Sequence, residues 1–331
     1  MNITHVAGTK GKGSTCILLN NILTQRFEDL DRSIKIGLYT SPHIREPTER
    51  IRINSVAISE DHFAEYVFEV MDKLKKSENL ERDGMPTYFR FMTLMALHYF
   101  MSKDVKIAIL EVGVGGEYDS TNIIVKPLAV GITTIHLDHQ SQLGYTLPEI
   151  AWHKAGILKE KACAFTVTQE NTVFEVIAER ARAARVGITT VQDLPWLATD
   201  FIASKGYLQN AAMASHLALA VLGRLSGSES VHQVIDFDSP DEFTSSLILA
   251  GLERSRLPAR GEVYQAEEAT YYFDGAHTVE SVDLAVFNFR QKFFGTETGR
   301  VDPSEEASRR QVFRSAVLSY SRRSNEGRDS A

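Results

Sequence analysis

The chain is short of thiols, of long apolar runs and of net positive charge, and each shortage closes off a class of function. Its two cysteines, Cys16 and Cys163, show no metal-ligand spacing. They read as reduced core thiols in a reducing compartment. No apolar run approaches the roughly 18 residues that a bilayer-spanning helix needs, so no membrane attachment is expected. Lys and Arg number 36 against 43 Asp and Glu, for a formal net charge of −7. No global basic field therefore favours nucleic acid, and a polyanionic ligand has to be held by a local cluster. No internal repeat is found. Met1 stands just before the first apolar run, so no signal or transit peptide is expected and the location inferred is cytoplasmic. What remains is ordinary: 43% apolar and 24% charged residues are the proportions of a soluble globular protein. The 331 residues suffice for two domains with a sizeable core.

The strongest positive signal lies at the start. Residues 3–7 form an apolar run, then comes Gly8-Thr9-Lys10-Gly11-Lys12-Gly13-Ser14, then residues 15–23 with apolar positions at helical spacing. Strand, glycine-rich turn and helix, in that order, are what a polyphosphate needs. Glycines admit the anion to the backbone, and successive N–H groups and the helix N-terminus face it. Lys12 is placed to reach the outer phosphates, and Ser14 to offer its hydroxyl to a phosphate-bound Mg2+. The common pattern has Ser or Thr directly after the Gly-Lys pair; here Gly13 intervenes.

Further along, residues 34–39 read as a second strand, and a helix between the two predicts a βαβ unit with parallel pairing. The following loop carries Arg45, Glu46, Glu49, Arg50 and Arg52, which divides evenly between a solvated charged face and a ligand-binding loop. Helices are predicted over 59–74 and 87–101. The second is strongly aromatic; its stripe reads as core, with Phe89 and Phe91 near the helix start, where a flat heterocycle could stack. The strand over 105–110 ends at Glu111, followed by Gly113, Gly115 and Gly116. A buried acid there needs a partner such as a metal on a nucleotide. Another strand, 128–135, leads into His136, Asp138 and His139. Beyond lie a helix over 148–158, a strand over 162–167, a helix over 171–186 and a weakly patterned stretch, 189–206. Helices over 210–225 and 247–254 follow. Residues 257–261 read as a linker, 270–273 as a strand and 279–294 as a helix. The tail after 295 is charged, serine-rich and expected to be poorly ordered.

These motifs resemble the folylpolyglutamate synthase family of the Mur ligase superfamily. The stretches concerned are residues 8–14, 39–43, 49–53, 88–93, 111–122, 137–139, 154–157, 258–260 and 274–277. They stand in the family's order over about residues 3–290, and that superfamily's phosphate loop takes the Gly-Lys-Gly-Ser form. The resemblance implies an α/β fold: a mostly parallel P-loop-type sheet flanked by helices over 1–257, a shortened C-terminal α/β domain over 258–295 and a disordered tail over 296–331. It implies that Gly11, Lys12, Gly13 and Ser14 bind ATP phosphates, with Asn210, Arg260 and Asp274 as further nucleotide contacts. Ser41, Glu111 and His139 would surround Mg2+, with a monovalent cation as a further candidate. Lys154 would be a carbamate, and His277 would lie near the phosphates or the incoming glutamate. Lys12, Lys154 and His277 are the catalytic candidates, and Phe89 and Phe91 the substrate candidates.

The implied reaction adds L-glutamate to the γ-carboxylate of a reduced folate or folylpolyglutamate through an acyl phosphate. Dihydrofolate synthase activity and a catalytically impaired nucleotide-binding remnant are the alternatives. The implied partners are ATP, reduced folates and L-glutamate, in a monomer, cytoplasmic with a mitochondrial isoform known in the family. Three departures stand out. The family has helices before the phosphate loop, the Gly-acid-His-Gln stretch before Asn210 is replaced by Lys205-Gly206-Tyr207-Leu208-Gln209, and the C-terminal domain is shorter. A chain truncated at both ends is expected.

Overall fold

The computed structural model describes residues 1–77, 84–192, 194–197, 205–227, 240–255, 257, 260–267, 269–276 and 279–294. The chain divides into two units, Met1–Ser255 and Arg256–Ala331. In the first, β1 (Asn2–Ala7), β2 (Ile36–Tyr39), β3 (Ile51–Ile53), β4 (Val56–Ala57), β5 (Ile107–Glu111), β6 (Ala129–Ile132), β7 (Cys163–Thr166) and β8 (Ile188–Thr190) form one sheet in the order β4-β3-β2-β5-β1-β6-β7-β8. All neighbours are parallel except β2–β3 and β3–β4. The mostly parallel P-loop-type sheet expected from the motifs is therefore present.

Side-chain alternation assigns the two faces. Val6, Leu38, Ile107, Ile109, Ala129 and Phe165 join one apolar cluster, which also holds residues of α1 (Lys12–Leu30), α7 (Lys205–Leu225) and α8 (Glu242–Glu253). Their neighbours in sequence face the other way. Tyr39, Ala108 and Leu110 pack with α2 (Glu60–Lys75) and α3 (Tyr88–Ser102). Ala7, Val130 and Ala164 pack with α5 (Leu147–Lys154) and α6 (Asn171–Ala183). A single helical turn of four residues, α4 (Gln140–Leu143), precedes α5. Leu18, Leu19, Ile22 and Leu23 of α1 have no exposed surface; each such side chain contributes about 2 kcal/mol by leaving water. The helix is sandwiched between the sheet and its two neighbours.

That sandwich leaves no room at one point. A Cβ on Gly251 of α8 would lie 2.5 Å from Ile22 Cα and 2.9 Å from Ile22 N, so the two backbones touch. Gly251→Ala gains about 1 kcal/mol in helix propensity, but forcing the backbones apart costs about 1–3 kcal/mol. A net loss of up to about 2 kcal/mol is expected in a urea titration; a raised midpoint would mean that α8 can shift freely.

The structure corrects several expectations. β1 and β2 are parallel but not paired: β5 lies between them, with Ile107 matched to both Asn2 and Ile36. A right-handed crossover fixes direction, not adjacency, and the fully buried β5 needs a partner on each side. Part of the charged loop is a strand. Ile51–Ile53 pairs antiparallel with β2 and turns through Asn54 and Ser55, both at positive φ, into β4. Residues 257–261 are not all linker, since β9 (Arg260–Gln265) pairs antiparallel with β10 (Thr270–Asp274). The second unit thus has two described strands rather than one, followed by α9 (Val279–Phe294). Tyr272 packs edge-on against Phe289 and Phe293 of that helix. The tail after 294 lies outside the described residues.

Candidate functional site

The register brings the carboxyl ends of β1, β2, β5 and β6 to one rim. Val6 is level with Glu111, Tyr39 with Leu110, and Ala7 with Ile132. Open α/β sheets bind their ligands there. The loop after β1 is pinned to the exit of β6: Thr9 N and Lys10 N donate to Thr134 O at 2.8 and 3.2 Å, and the Thr9 hydroxyl donates to His136 O at 3.0 Å. Gly8 and Gly11 both have positive φ, and a Cβ on either would collide, with the Thr133 hydroxyl and with the Asn210 amide respectively. Glycine is required at both for the loop to close this tightly.

α1 then begins at Lys12 with no side-chain cap and no acid in its first turn. An uncapped helix N-terminus at a strand exit has the polarity that favours an anion. The intervening Gly13 now has a reason. A Cβ there would sit 3.2 and 3.3 Å from the two carboxylate oxygens of Glu111, so glycine lets that acid approach the loop. Glu111 is 4% exposed and accepts a hydrogen bond from Ser41 N at 2.8 Å. Ser41 and Glu111 are thus brought together beside Gly13. His139 stands at the left-handed N-cap of α4, 3.7 Å from Asp138 and about half exposed. Among the described residues no group of three or more His, Cys, Asp or Glu is placed to hold a metal. One buried carboxylate beside a phosphate loop nonetheless suits Mg2+, which keeps several waters and takes one or two carboxylates plus phosphate oxygens.

Lys154, at the end of α5, is 2% exposed and donates to Gly8 O at 2.8 Å. Burial pushes its amine down to about 7; the Lys12 charge pushes the same way, and Asp138 and Asp119 oppose it. Two lysines thus meet behind one loop, and one of them sheds its proton near neutrality. Asn210, on α7, reaches the loop from the other side: its Oδ1 is 3.5 Å from the Thr15 hydroxyl, and the preceding Gln209 accepts from the Thr134 hydroxyl at 2.9 Å.

Phe89 and Phe91 point to different sides of α3. Residues two apart on a helix point about 200° from each other. Phe89 is the one at the rim, its ring occupying the space a Cβ on Gly113 would need and 6.0 Å from the Tyr39 ring. Both rings are half-buried and pack against the core cluster beneath α3. Of the remaining candidates, Arg260 and Asp274 are register partners at the end of the β9–β10 ribbon, in the second unit. His277 lies outside the described residues.

Two groups within the motif stretches were given no role of their own. Arg50, read within a charged loop, is 8% exposed; its Nε donates to His43 Nδ1 at 2.8 Å, and its guanidinium lies 5.5 Å from the Tyr88 ring centre. The alternation Ile51-Arg52-Ile53 followed by Asn-Ser was the available signal for this folded hairpin. Asp119, read as part of a polar turn, accepts from Val114 N at 3.0 Å and from Thr121 N and Oγ1 at 2.9 and 2.6 Å. Asp-x-Thr in a glycine-rich loop signals such a turn, though not where it points.

No helix among the described residues is long and apolar enough to cross a membrane. No protein-family model matches the chain. A probable folylpolyglutamate synthase of Schizosaccharomyces pombe is 42% identical over 287 residues, 86% of this chain and 55% of that protein. A folylpolyglutamate synthase of Saccharomyces cerevisiae is 40% identical over 300 residues, 88% of this chain and 54% of that protein. The solved apo folylpolyglutamate synthase (FPGS) of L. casei matches with a TM-score of 0.75 and 27% identity, over 88% of this chain and 72% of that one. An FPGS–AMPPCP–folate complex matches equally well. The chain spans about half the length of the curated relatives it matches. It is a homologue of the folylpolyglutamate synthases, with the Mur ligase fold.

Proposed function

We propose that this chain carries the ATP-binding centre of an ATP-dependent ligase that joins L-glutamate to the γ-carboxylate of a reduced folate. The observation that carries the proposal is the convergence of Lys12, Lys154, Glu111 and Asn210 on one glycine loop, in a homologue of proteins of that name. A carboxylate anion resists amine attack, so it is first phosphorylated. Its oxygen takes the γ-phosphoryl group, and ADP leaves. The amine of glutamate, having lost a proton, attacks the acyl carbon, and phosphate leaves. The phosphoryl transfer calls for positioning and charge neutralisation rather than a covalent nucleophile. Gly11, Gly13 and Ser14 at the start of α1 cradle the phosphates, and Lys12 neutralises the outer ones. Glu111, with Ser41 and His139, would hold Mg2+, which when bound offsets phosphate charge.

With its amine pushed down to about 7, a good share of Lys154 is neutral at neutral pH; that nitrogen can add to CO2 and lose a proton, giving an anion able to act as a ligand. Phe89 offers the ring against which a pterin stacks. In this reading Asn210 contacts the nucleotide.

Purified chain given ATP, a reduced folate and labelled glutamate is expected to release phosphate and extend the folate. Extension of dihydropteroate instead would assign dihydrofolate synthase activity. ATP binding with no turnover on either acceptor would leave a nucleotide-binding piece and sink the ligase reading for this chain.

A further inference from the structure

A buried hydrogen-bond chain runs from β1 toward the wall of the site and has no part in phosphate binding. His5 is 1% exposed, and its Nε2 lies 2.7 Å from Thr121 Oγ1. The Thr121 hydroxyl has one proton, which it donates to Asp119 Oδ1 at 2.6 Å. Toward the imidazole it can only accept. His5 is thereby fixed as the Nε2–H tautomer. Burial, aided by the Lys159 charge, pushes its pKa down to about 3, so the ring stays neutral at any pH where the fold is used.

Asp119 also has its other oxygen engaged, by Val114 N at 3.0 Å. Its charge is felt at both Lys154 and Tyr39. Gly113, which adjoins Val114, is the residue beneath the Phe89 ring. The aim of Asp119 and the course of the loop under Phe89 are thus set from inside the sheet.

We propose that His5 is a positioning residue that, through the Thr121 hydroxyl, holds Asp119 and residues 113–122 in the form that receives the folate. The folate part rests on the function proposed above; the positioning part does not. A histidine serving merely as core filler would tolerate an apolar replacement of similar size. A positioning histidine needs a donor where Nε2 stands. His5→Gln keeps an N–H near that point, His5→Asn places it nearer the backbone, where Nδ1 was, and His5→Leu has none.

The experiment measures three quantities on the full chain: KM for reduced folate, Kd for ATP, and exchange protection of the Val114 and Thr121 amides, both of which donate to Asp119. His5→Gln is expected to stay within about threefold of the unaltered chain in all three. His5→Asn and His5→Leu are expected to raise folate KM about tenfold or more and expose both amides, with ATP Kd within about twofold. Thr121→Val, which keeps shape but not the hydroxyl, should reproduce the loss, and His5→Leu added to it should cost nothing more.

If the three His5 variants behave alike, or if ATP Kd worsens in step with folate KM, the idea is wrong. Should the unaltered chain show no turnover, the folate reading fails, and amide exchange still decides the role of His5. Should His5→Leu not fold, the Thr121→Val comparison decides it.

Discussion

In the ligase proposed above, Lys154→Met is expected to cut turnover by about 10²–10³ while making the fold more stable at acidic pH. The amine is buried near Lys12 and donates to Gly8 O at 2.8 Å. In CO2-free buffer the folded chain releases this proton near pH 7, whereas an unfolded chain keeps it to about 10.5. The unfolded state therefore binds more protons throughout that window, and stability rises with pH across it. Below pH 7 the burial penalty stands in full, on the order of a few kcal/mol. Methionine removes it at the cost of leaving Gly8 O unsatisfied, about 1–3 kcal/mol. Thermal unfolding at pH 6 should show a gain of roughly 1–2 kcal/mol, shrinking toward pH 10 and turning to a loss. Ligase turnover should fall by about 10²–10³, since an anion or amine behind the phosphate loop has been replaced by a thioether. A variant no more stable at pH 6, with the pH slope of the unaltered chain, would show that this nitrogen is not desolvated.

Lys12→Ala is expected to cost about 10³ in turnover, the scale set by removing one preorganised charge from a developing oxyanion. The fold should be nearly untouched, because the ammonium lies 3.4 Å from Thr9 O and is only half-buried. The two lysine variants thus differ in kind. Lys12→Ala should also weaken ATP binding about tenfold or more, and isothermal titration separates that from the chemical step. Removing Lys12 also relieves Lys154 of a neighbouring positive charge. The Lys154 amine should therefore titrate higher in Lys12→Ala, a shift readable by reductive methylation and NMR. Unaltered ATP affinity would be fatal to the phosphate-loop assignment.

The glycine-rich strand–turn–helix was legible because its requirements are local. Glycine at 8 and 11 answers to positive φ, and strand, turn and helix follow one another within thirty residues. Helix N-termini were legible for the same reason: Ser59 accepts from His62 N, as its position before Glu60 predicts. Strand β3 was not legible as read, because Arg50 and Arg52 looked like solvated charge. Arg50 is buried only because His43 and Tyr88 fold back to receive it. The helix predicted over 247–254 starts earlier than that, at Glu242. Asp241 is in fact the cap, accepting from Thr244 N at 2.7 Å.

By itself the sequence determined which chemistry was available: a glycine cradle, an acid at the end of a buried strand and a lysine within an apolar helix. Those follow from backbone sterics and hydrophobic period, which act over a few residues. Only the tertiary structure decided that β5 enters between β1 and β2 and that Gly13 makes room for Glu111. It alone brought Lys154 to Gly8 and Asn210 to Gly11, 146 and 199 positions along the chain. Such contacts depend on strand order and on the desolvation of groups far apart in the chain, and no local pattern encodes either.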